Sequence, residues 1–392
     1  MPKKHIALIM PLSTYDWGSN NCGGVDSVCQ MFAEYLADHD DANFRFTIIG
    51  LDPQSKIPFT GRVIPLSDNV DFIWLPTSSK QTKFKIPGII WQNWHVRKLL
   101  KILNPDLVHT HFWSALIGSG FRGKSVVTVH SYKKIGRHNF GFFNNFLYEK
   151  IIPKFTRHLG DKKFVVGDIL KQALAKSNIK SNIIYNPIDD SFFNSVKKNQ
   201  LIEHPPHEIK FITCALINPK KNIEQSIDII HMLNQNGIVC RLDIVGGKSN
   251  KEYAQQLERK IETLQLEKSV SFLGRKNKYE LIELYNNANC GIFTSKEETF
   301  GLVPLEILAT GLPLVCTEVG ILAEKKEFFQ SIGILYLTES TTTDEITTCI
   351  NKFDRELSVK KLKELFNTSQ IIKQYKAIYN ELVLRLSDNN NV

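Results

Sequence analysis

The chain has 392 residues, of which 42% are hydrophobic and 23% are charged, so it is long enough for two globular domains. These proportions exclude collagen-like, disordered and disulfide-framework proteins. Its 49 Lys and Arg against 40 Asp and Glu leave a formal net charge of +9. Such a charge is typical of proteins that bind nucleic acid, phosphorylated ligands or an anionic membrane surface, and by itself it does not choose among them.

The seven cysteines are widely spaced and form no CxxC or Cys/His cluster. This pattern indicates reduced core thiols and a cytoplasmic protein, not disulfides or zinc ligands. An apolar stretch at 5–12 is followed by polar residues without a small-residue cleavage site, so we interpret it as a first β-strand and not as a signal peptide. No apolar run approaches the roughly 18 residues that a membrane span needs.

Short β-rich runs alternate with helical patterns along most of the chain, as in parallel βαβ units. A first series of predicted strands covers 5–10, 44–50, 71–75, 106–111, 124–130, 163–166 and 182–185. An irregular polar stretch from Pro187 to His207 follows, which we interpret as a linker. A second series covers 209–215, 241–247, 269–274, 289–295 and 312–317. The predicted fold class is therefore α/β, with two Rossmann-like, doubly wound parallel-sheet domains.

A sequence that matches a phosphate-binding loop lies at 118–125. GSGFRGKS fits the pattern GxxxxGKS and would indicate a P-loop nucleoside triphosphatase. That loop requires a strand before the glycines and a helix after them. Here a helical pattern at 113–117 comes before, and an apolar strand begins at Ser125. The P-loop is therefore only a remote alternative to a helix-to-strand turn.

The most informative stretch, 294–315, reads as a strand, a turn with Glu298, a helix with Glu306 and another strand. The two glutamates are eight residues apart, so one lies before the helix and the other about one and a half turns inside it. The free N–H groups of the first helical turn are a natural diphosphate site. They belong to the residues around Phe300, Gly301, Leu302 and Val303. Two carboxylates beside such an anion site favour a nucleotide-sugar as ligand.

In this setting the two glutamates resemble the Glu-x7-Glu motif of retaining glycosyltransferases of the GT-B fold, family four. The resemblance covers nearly the whole chain and rests on seven motifs in order: Gly23-Gly24 before a helix, PDLVHTH at 105–111, VTVH at 127–130, YNPID at 185–189, IVGG at 244–247, FLG at 272–274 and the glutamate pair. It implies an acceptor domain over 1–186, joined by the C-terminal helix at about 369–386. It also implies a nucleotide-sugar donor domain over 187–368, with the two domains facing each other across a cleft.

The resemblance further implies a role for individual residues. Glu306 binds the donor ribose, Glu298 binds a hydroxyl of the transferred sugar, and Lys221 neutralises the diphosphate leaving group. His130 lies beside the transferred sugar and positions it. The other donor-binding residues are Gly23, Gly24, Gly274, Arg275, Phe300, Gly301, Leu302 and Val303. Because a lysine and a helix dipole take the place of a metal, we expect neither a metal nor another cofactor.

One position departs from the family pattern. Members of the family usually carry an arginine five residues before the lysine, where this chain has Leu216. Leucine cannot hold a phosphate, so Lys220, Arg275 or Lys276 could supply the second charge. The alternative is a non-catalytic sugar-nucleotide or membrane-binding protein with the same fold.

Two N-terminal segments hold much of the positive charge. Residues 80–101 contain six Lys and Arg and no acid, and residues 131–158 contain six with one Glu, both with several aromatic side chains. This composition suits the headgroups of an anionic membrane, although a solvated helix face with aromatic side chains in the core fits it equally well. No nucleic-acid reading motif accompanies the charge, so we expect no nucleic-acid partner.

These observations together predict a retaining, metal-independent glycosyltransferase. It would move a sugar from a nucleotide-sugar to a glycan or lipid-linked acceptor in cell-surface polysaccharide or lipopolysaccharide synthesis. We expect it in the cytoplasm, as a peripheral protein on the inner face of the membrane.

Overall fold

A computed structural model describes residues 2–12, 24–52, 63–76, 88–135, 146–196 and 208–383. The chain divides into two compact units, one formed by residues 1–187 with 368–392 and the other by residues 188–367. Each unit holds a largely parallel sheet flanked by helices, which confirms the predicted α/β class.

The first unit contains a sheet of eight described strands in the order β3-β4-β2-β1-β5-β6-β7-β8. The strands are β1 (Lys4–Pro11), β2 (Phe44–Asp52), β3 (Val63–Ser67), β4 (Val70–Pro76), β5 (Leu107–Thr110), β6 (Lys124–Val129), β7 (Lys162–Val165) and β8 (Asn182–Ile183). The helices between them are α1 (Gly24–Asp38), α2 (Gly88–Leu103), α3 (Trp113–Leu116), α4 (Ile152–Thr156), which a π turn at Leu147–Ile151 precedes, and α5 (Asp168–Ala175). Among the described strands, β3 alone runs antiparallel to its neighbour.

The centre of this sheet is a continuous apolar strand. In β1, Ile6 lies opposite Phe46 of β2 on one side and Leu107 of β5 on the other. The side chains from Ile6 to Met10 are at most 1% exposed, as expected for a parallel strand covered on both faces. The strand order reverses between β1 and β5, and folds of this kind hold their functional loops at the carboxyl ends of such strands.

The second unit contains a sheet in the order β11-β10-β9-β12-β13-β14, in which all described pairs are parallel. The strands are β9 (Ile209–Cys214), β10 (Cys240–Val245), β11 (Val270–Gly274), β12 (Cys290–Phe293), β13 (Leu314–Cys316) and β14 (Leu335–Tyr336). The helices are α6 (Asp190–Asn194), α7 (Ile223–Gln235), which a 3-10 turn at Pro219–Lys221 precedes, α8 (Lys251–Thr263), α9 (Lys278–Asn286), α10 (Leu302–Ala309), α11 (Ile321–Glu324), α12 (Lys326–Gln330), α13 (Thr343–Lys352) and α14 (Arg355–Phe366). The last helix, α15 (Thr368–Val383), belongs to the first unit.

The stretch that we interpreted as a linker is ordered in its first part, so that interpretation is wrong there. Asp189 caps α6 by accepting a hydrogen bond from the Ser191 N–H at 2.9 Å, and Phe192 and Phe193 are buried. A helix of five residues is too short to show a periodic apolar pattern, so the sequence analysis missed it. Residues 197–207 lie outside the described part of the chain.

The phosphate-loop alternative is also wrong. The short helix α3 precedes the glycines and β6 follows them, which is the reverse of the order that a phosphate loop requires. Gly118 and Gly120 have φ of 74° and 69°, as in a turn that leads from a helix into a strand. In the described ranges, no helix is both long enough and apolar enough to cross a bilayer.

Candidate functional site

Four of the predicted residues lie in the loops that follow β9 and β12, namely Lys221, Glu298, Phe300 and Gly301. These two strands are neighbours, and the strand order of the sheet reverses between them. Two hydrogen bonds join the loops: the Lys296 N–H donates to the Lys220 carbonyl at 2.8 Å, and the Thr294 hydroxyl donates to the Asn222 carbonyl at 2.9 Å. The two loops therefore form one connected structure at the carboxyl edge of the sheet.

Lys221 and Glu298 form an ion pair across this junction, although 77 positions separate them in the sequence. Their side chains are 24% and 16% exposed, so water and salt screen this pair less than a surface pair. The neighbouring pair of Lys220 and Glu297 is more exposed, at 55% and 64%. The structure therefore brings together two predicted residues and pairs the Lys221 ammonium with the Glu298 carboxylate.

The helix α10 begins directly after this loop. Gly301 precedes it with a φ of 93°, and no side-chain cap is found at this helix start in the described chain. The first-turn N–H groups, which include those of Leu302 and Val303, are therefore available to a ligand. The ring of Phe300 is buried against Phe366, so this residue presents only its backbone to the loop.

A glycine that the sequence analysis missed holds this loop in place. Gly320 has a φ of 58°, and a Cβ atom there would lie 2.3 Å from the Phe300 carbonyl oxygen. That carbonyl accepts a hydrogen bond from the Ile321 N–H at 2.7 Å. The only signal in the sequence was a glycine between a predicted strand and an apolar run, which is common in loops.

Glu306 lies inside α10 and is partly buried. Burial raises the pKa of its carboxyl to about 7, and the nearby charge of Asp189 acts in the same direction. Burial alone would raise the pKa of Asp189 too, but hydrogen bonds from Lys278, at 2.7 Å, and Ser191 outweigh it and hold that pKa below its ordinary value. Near neutral pH, Glu306 can therefore exist with or without its proton.

The predicted residues Gly274 and Arg275 lie at the end of β11. Gly274 has a φ of 68°, and Arg275 packs over Gly247, where a Cβ atom would lie 2.5 Å from the arginine Nε. The carbonyl of Gly247 accepts a hydrogen bond from the Ile217 N–H at 3.0 Å, and Ile217 is the next residue after Leu216. Arg275 therefore lies beside the loop that carries Leu216.

The three candidate cations differ in their partners. Lys220 pairs with Glu297, and Lys276 pairs with Glu280 at 3.0 Å. Arg275 is exposed and has no ion-pair partner within the described ranges. Of the three side chains, Arg275 is therefore the best placed to bind an anion.

His130 follows β6 in the first unit. Its Nε2 lies 2.8 Å from Nδ1 of His111, and the two imidazole rings stack with centroids 5.1 Å apart. Burial lowers the pKa of His130 to about 4 and holds that of His111 well below its ordinary value. Both imidazoles are therefore neutral at pH 7. We predicted no role for His111, although His-x-His at the end of a buried strand is visible in the sequence.

A second buried network joins His109 to the last helix. His109 Nδ1 lies 2.6 Å from the Tyr379 hydroxyl, and its Nε2 lies 2.8 Å from the Thr128 hydroxyl. The Thr128 hydroxyl also lies 2.8 Å from that of Tyr375. Burial lowers the pKa of His109 to about 3. These polar contacts connect α15 to β5 and β6.

Of the predicted glycine-rich loop, Gly23 lies outside the described residues. Gly24 is the exposed first residue of α1. Over the described parts of the chain, no cluster of three or more His, Cys, Asp or Glu side chains is placed to hold a metal ion.

The comparisons with known families agree with the fold and the motifs. Residues 22–192 match the family described as Glycosyltransferase Family 4, and residues 197–369 match the family described as Glycosyl transferases group 1. The two matches together cover most of the chain, and their fold is the GT-B fold. The chain belongs to the group 1 glycosyltransferases.

Its curated relatives are distant. The O-antigen chain mannosyltransferase RfbU of Salmonella typhimurium is 26% identical over 235 residues, which are 58% of this chain and 61% of that protein. The human alpha-1,3/1,6-mannosyltransferase ALG2 is 24% identical over 211 residues, 51% of this chain and 50% of that protein. The chain thus spans about half to three-fifths of the length of these relatives.

Solved structures match over almost the whole chain. Sucrose-phosphate synthase from Thermosynechococcus elongatus has a TM-score of 0.73 at 19% identity and covers 97% of this chain and 99% of its own. HepE from Anabaena, solved in complex with UDP-glucose, has a TM-score of 0.67 at 16% identity and covers 96% of this chain and 100% of its own. At these identities the likeness establishes the shared fold.

Proposed function

We propose that this protein transfers a sugar from a nucleoside diphosphate sugar to a glycan or lipid-linked acceptor in cell-surface polysaccharide or lipopolysaccharide synthesis, with retention of configuration. The observation that carries the proposal is the junction of the β9 and β12 loops, where Lys221 meets Glu298 beside an uncapped helix start. A cation and free N–H groups suit a diphosphate, and carboxylates suit the hydroxyls on either side of it. The relatives RfbU and ALG2 are named as mannosyltransferases, and HepE was solved with UDP-glucose, which supports the donor class.

In the proposed reaction, the protein's own charges stabilise the leaving diphosphate. Lys221 and the N–H groups at the start of α10 oppose the negative charge that develops when the glycosidic bond breaks. Because Glu298 already neutralises part of the Lys221 charge, a second cation is needed. We assign this part to Arg275, whose guanidinium lies beside the Leu216 loop and can bind two phosphate oxygens at once.

The role of Arg275 can be tested against a neighbouring lysine. Arg275→Ala should weaken the binding of a UDP-sugar by about tenfold or more, as expected for loss of a charged hydrogen bond. Lys276→Ala, which removes the adjacent cation already paired with Glu280, is the matched control and should change the binding little. Equal effects of the two substitutions would argue against the assignment.

A panel of UDP-, GDP-, ADP- and dTDP-sugars tests the proposed donor class, with thermal unfolding as the readout. At least one member should raise the unfolding temperature, since a ligand that binds only the folded state stabilises it. NMR of the product anomeric carbon then reports whether configuration is retained. Stabilisation without transfer to any acceptor would support the non-catalytic alternative that Leu216 suggests, and no stabilisation by any sugar would refute the donor site.

We further propose that the protein binds the inner face of an anionic membrane through α2. This helix contains no acid, and it exposes Ile90, Trp94 and Ile102 at 58%, 57% and 70% together with three basic residues. Those residues are Arg97, Lys98 and Lys101. By contrast, Trp91 is half-buried against His95. Within the first basic segment, the interpretation as a core side chain therefore fits Trp91, whereas the interpretation as a membrane contact fits Trp94.

Vesicle sedimentation tests this surface. Trp94→Ala should reduce binding to vesicles of anionic phospholipid, since Trp94 and the Lys98 ammonium, 6.0 Å from its ring, suit the interfacial region. Tyr279→Ala, which removes an aromatic ring that is even more exposed, at 70%, and has a lysine 5.7 Å from its centre, is the matched control in the second unit. Unchanged sedimentation of the Trp94 variant would refute a membrane role for α2.

A further inference from the structure

A second polar site lies in the first unit, at the carboxyl ends of β5 and β6. A cavity of about 60 Å³ is lined there by His111, Trp113, His130, Tyr132 and Lys133, among others. One water needs about 10–15 Å³, so this cavity has room for roughly four ligand oxygens or waters. That size suits part of one sugar ring.

Four of the lining side chains hold a buried polar atom without a hydrogen-bond partner among the described residues. The atoms are Nε2 of His111, Nε1 of Trp113, Nδ1 of His130 and the hydroxyl of Tyr132. Each of these residues is at most 8% exposed. Buried polar groups are almost always satisfied, so these four groups need partners, which water or a ligand in the cavity would supply.

The two imidazoles limit what that ligand can be. Because His111 Nδ1 and His130 Nε2 share one hydrogen bond, one ring donates to the other. In either arrangement of two neutral rings, one of the outer nitrogens carries a proton and the other a lone pair. One donor and one acceptor together match a hydroxyl group, which both accepts and donates. The Trp113 N–H adds a donor, and the Tyr132 hydroxyl can act in both ways.

Lys133 adds a positive charge to this cavity. Its Nζ lies 5.5 Å from the centre of the Tyr132 ring, and the described residues that line the cavity include no acid. Lys133 has a φ of 51°, a left-handed conformation that a lysine adopts only at an energetic cost. The backbone bonds between Tyr132 and Ile135, at 3.0 and 3.1 Å, hold it there. The turn thus places Lys133 in the lining of the same cavity as the two histidines.

We propose that this cavity binds one ring of the acceptor, and that this ring is a sugar with an anionic oxygen group, either a carboxylate or a phosphate, held by Lys133. The rings of Trp113 and Tyr132, with centroids 6.2 Å apart, offer apolar faces to the C–H face of such a sugar. This inference rests on the proposed glycosyl transfer and names the acceptor class that the activity would use.

The test compares glucose, glucuronate, glucose 6-phosphate, acetate and inorganic phosphate as probes of the full chain, with 15N NMR of the histidine side chains as the readout. Glucuronate or glucose 6-phosphate should shift the His111 and His130 signals and bind about tenfold more tightly than glucose. Lys133→Met should remove that preference and leave glucose binding unchanged. Lys326→Met, which removes another lysine 5.5 Å from the centre of a tyrosine ring, is the matched control and should keep the preference.

Each remaining outcome decides a part of the proposal. A preference for glucuronate assigns a carboxylate, and one for glucose 6-phosphate assigns a phosphate. Equal binding of glucose, or a preference that survives Lys133→Met, overturns the anionic group. If acetate or inorganic phosphate binds as tightly as the sugars do, the proposal that the cavity recognises a sugar ring is overturned. If no probe shifts the histidine signals while a nucleotide-sugar still stabilises the protein, this proposal fails and the proposed function stands.

Discussion

Acid should destabilise the first unit selectively, because His109, His111 and His130 are buried and neutral. The unfolded chain takes up protons on histidine near the ordinary pKa of about 6.5, whereas the folded unit does so only near 3 for His109 and near 4 for His130. Below pH 6.5 the unfolded state therefore binds more protons, and the free energy of unfolding falls as the pH falls. This loss should be spread between about pH 6.5 and pH 4.

The magnitude follows from these values. A pH of about 5 is one and a half units below the unfolded pKa of each histidine but still above its folded pKa. Each histidine therefore lowers the free energy of unfolding by about 2 kcal/mol at this pH. The two together give about 4 kcal/mol, and His111, whose pKa is also lowered, adds to this. A domain typically has about 5–15 kcal/mol of stability in total, so the first unit should be close to unfolding at pH 5.

Tryptophan fluorescence can follow this unit alone, since all five tryptophans lie before residue 188 and the second unit has none. Urea unfolding should be measured between pH 7.5 and pH 5 for the wild type and for His109→Gln. The variant should lose about 2 kcal/mol of this pH-dependent change, because glutamine can contact Thr128 and Tyr379 but does not titrate. Replacing the exposed His39 by glutamine should leave the dependence unchanged. A wild-type stability that is the same at both pH values would refute the reasoning.

Three further predictions concern the second unit. Because burial raises the Glu306 pKa to about 7, nucleotide-sugar affinity measured by calorimetry should rise between about pH 6 and pH 8, and Glu306→Gln should bind weakly without that rise. Gly320→Ala should lower the free energy of unfolding of this unit, measured by circular dichroism, by more than Gly237→Ala does. Gly237 also has a positive φ, but the space around its Cβ position is open, so its substitution should cost only about 1 kcal/mol. Transfer should persist after dialysis against EDTA if Lys221 and the α10 start supply the charge, and a metal requirement would show as lost activity that Mg²⁺ restores.

The fold was predictable wherever a strand is a continuous apolar run between turn residues. The run at 5–10 became β1, and Ile223, Ile227 and Ile230, whose spacing in the sequence is that of one helix face, form part of the buried face of α7. The edge strand β3 was missed because Pro65 interrupts a short sequence, and proline is tolerated in a sheet only at such positions. The two-residue strand β14 was too short for any periodic signal.

The candidate site was predictable in its residue types but not in its contacts. The spacing of Glu298 and Glu306 indicates a loop and a helix, yet the pairing of Glu298 with Lys221 depends on which strands lie side by side. The stacking of His111 on His130 depends in the same way on the pairing of β5 with β6. The raised pKa of Glu306 arises from its surroundings in the fold, which the local sequence does not reveal.

The central claim is that Lys221 neutralises a leaving diphosphate, and steady-state release of the nucleoside diphosphate from the stabilising donor tests it most directly. Lys221→Ala should lower kcat by about 100-fold or more, the usual cost of losing one group that stabilises transition-state charge. Lys296→Ala removes a more exposed lysine from the adjoining loop and should keep nearly the wild-type rate. Equal rates for Lys221→Ala and the wild type would contradict the account.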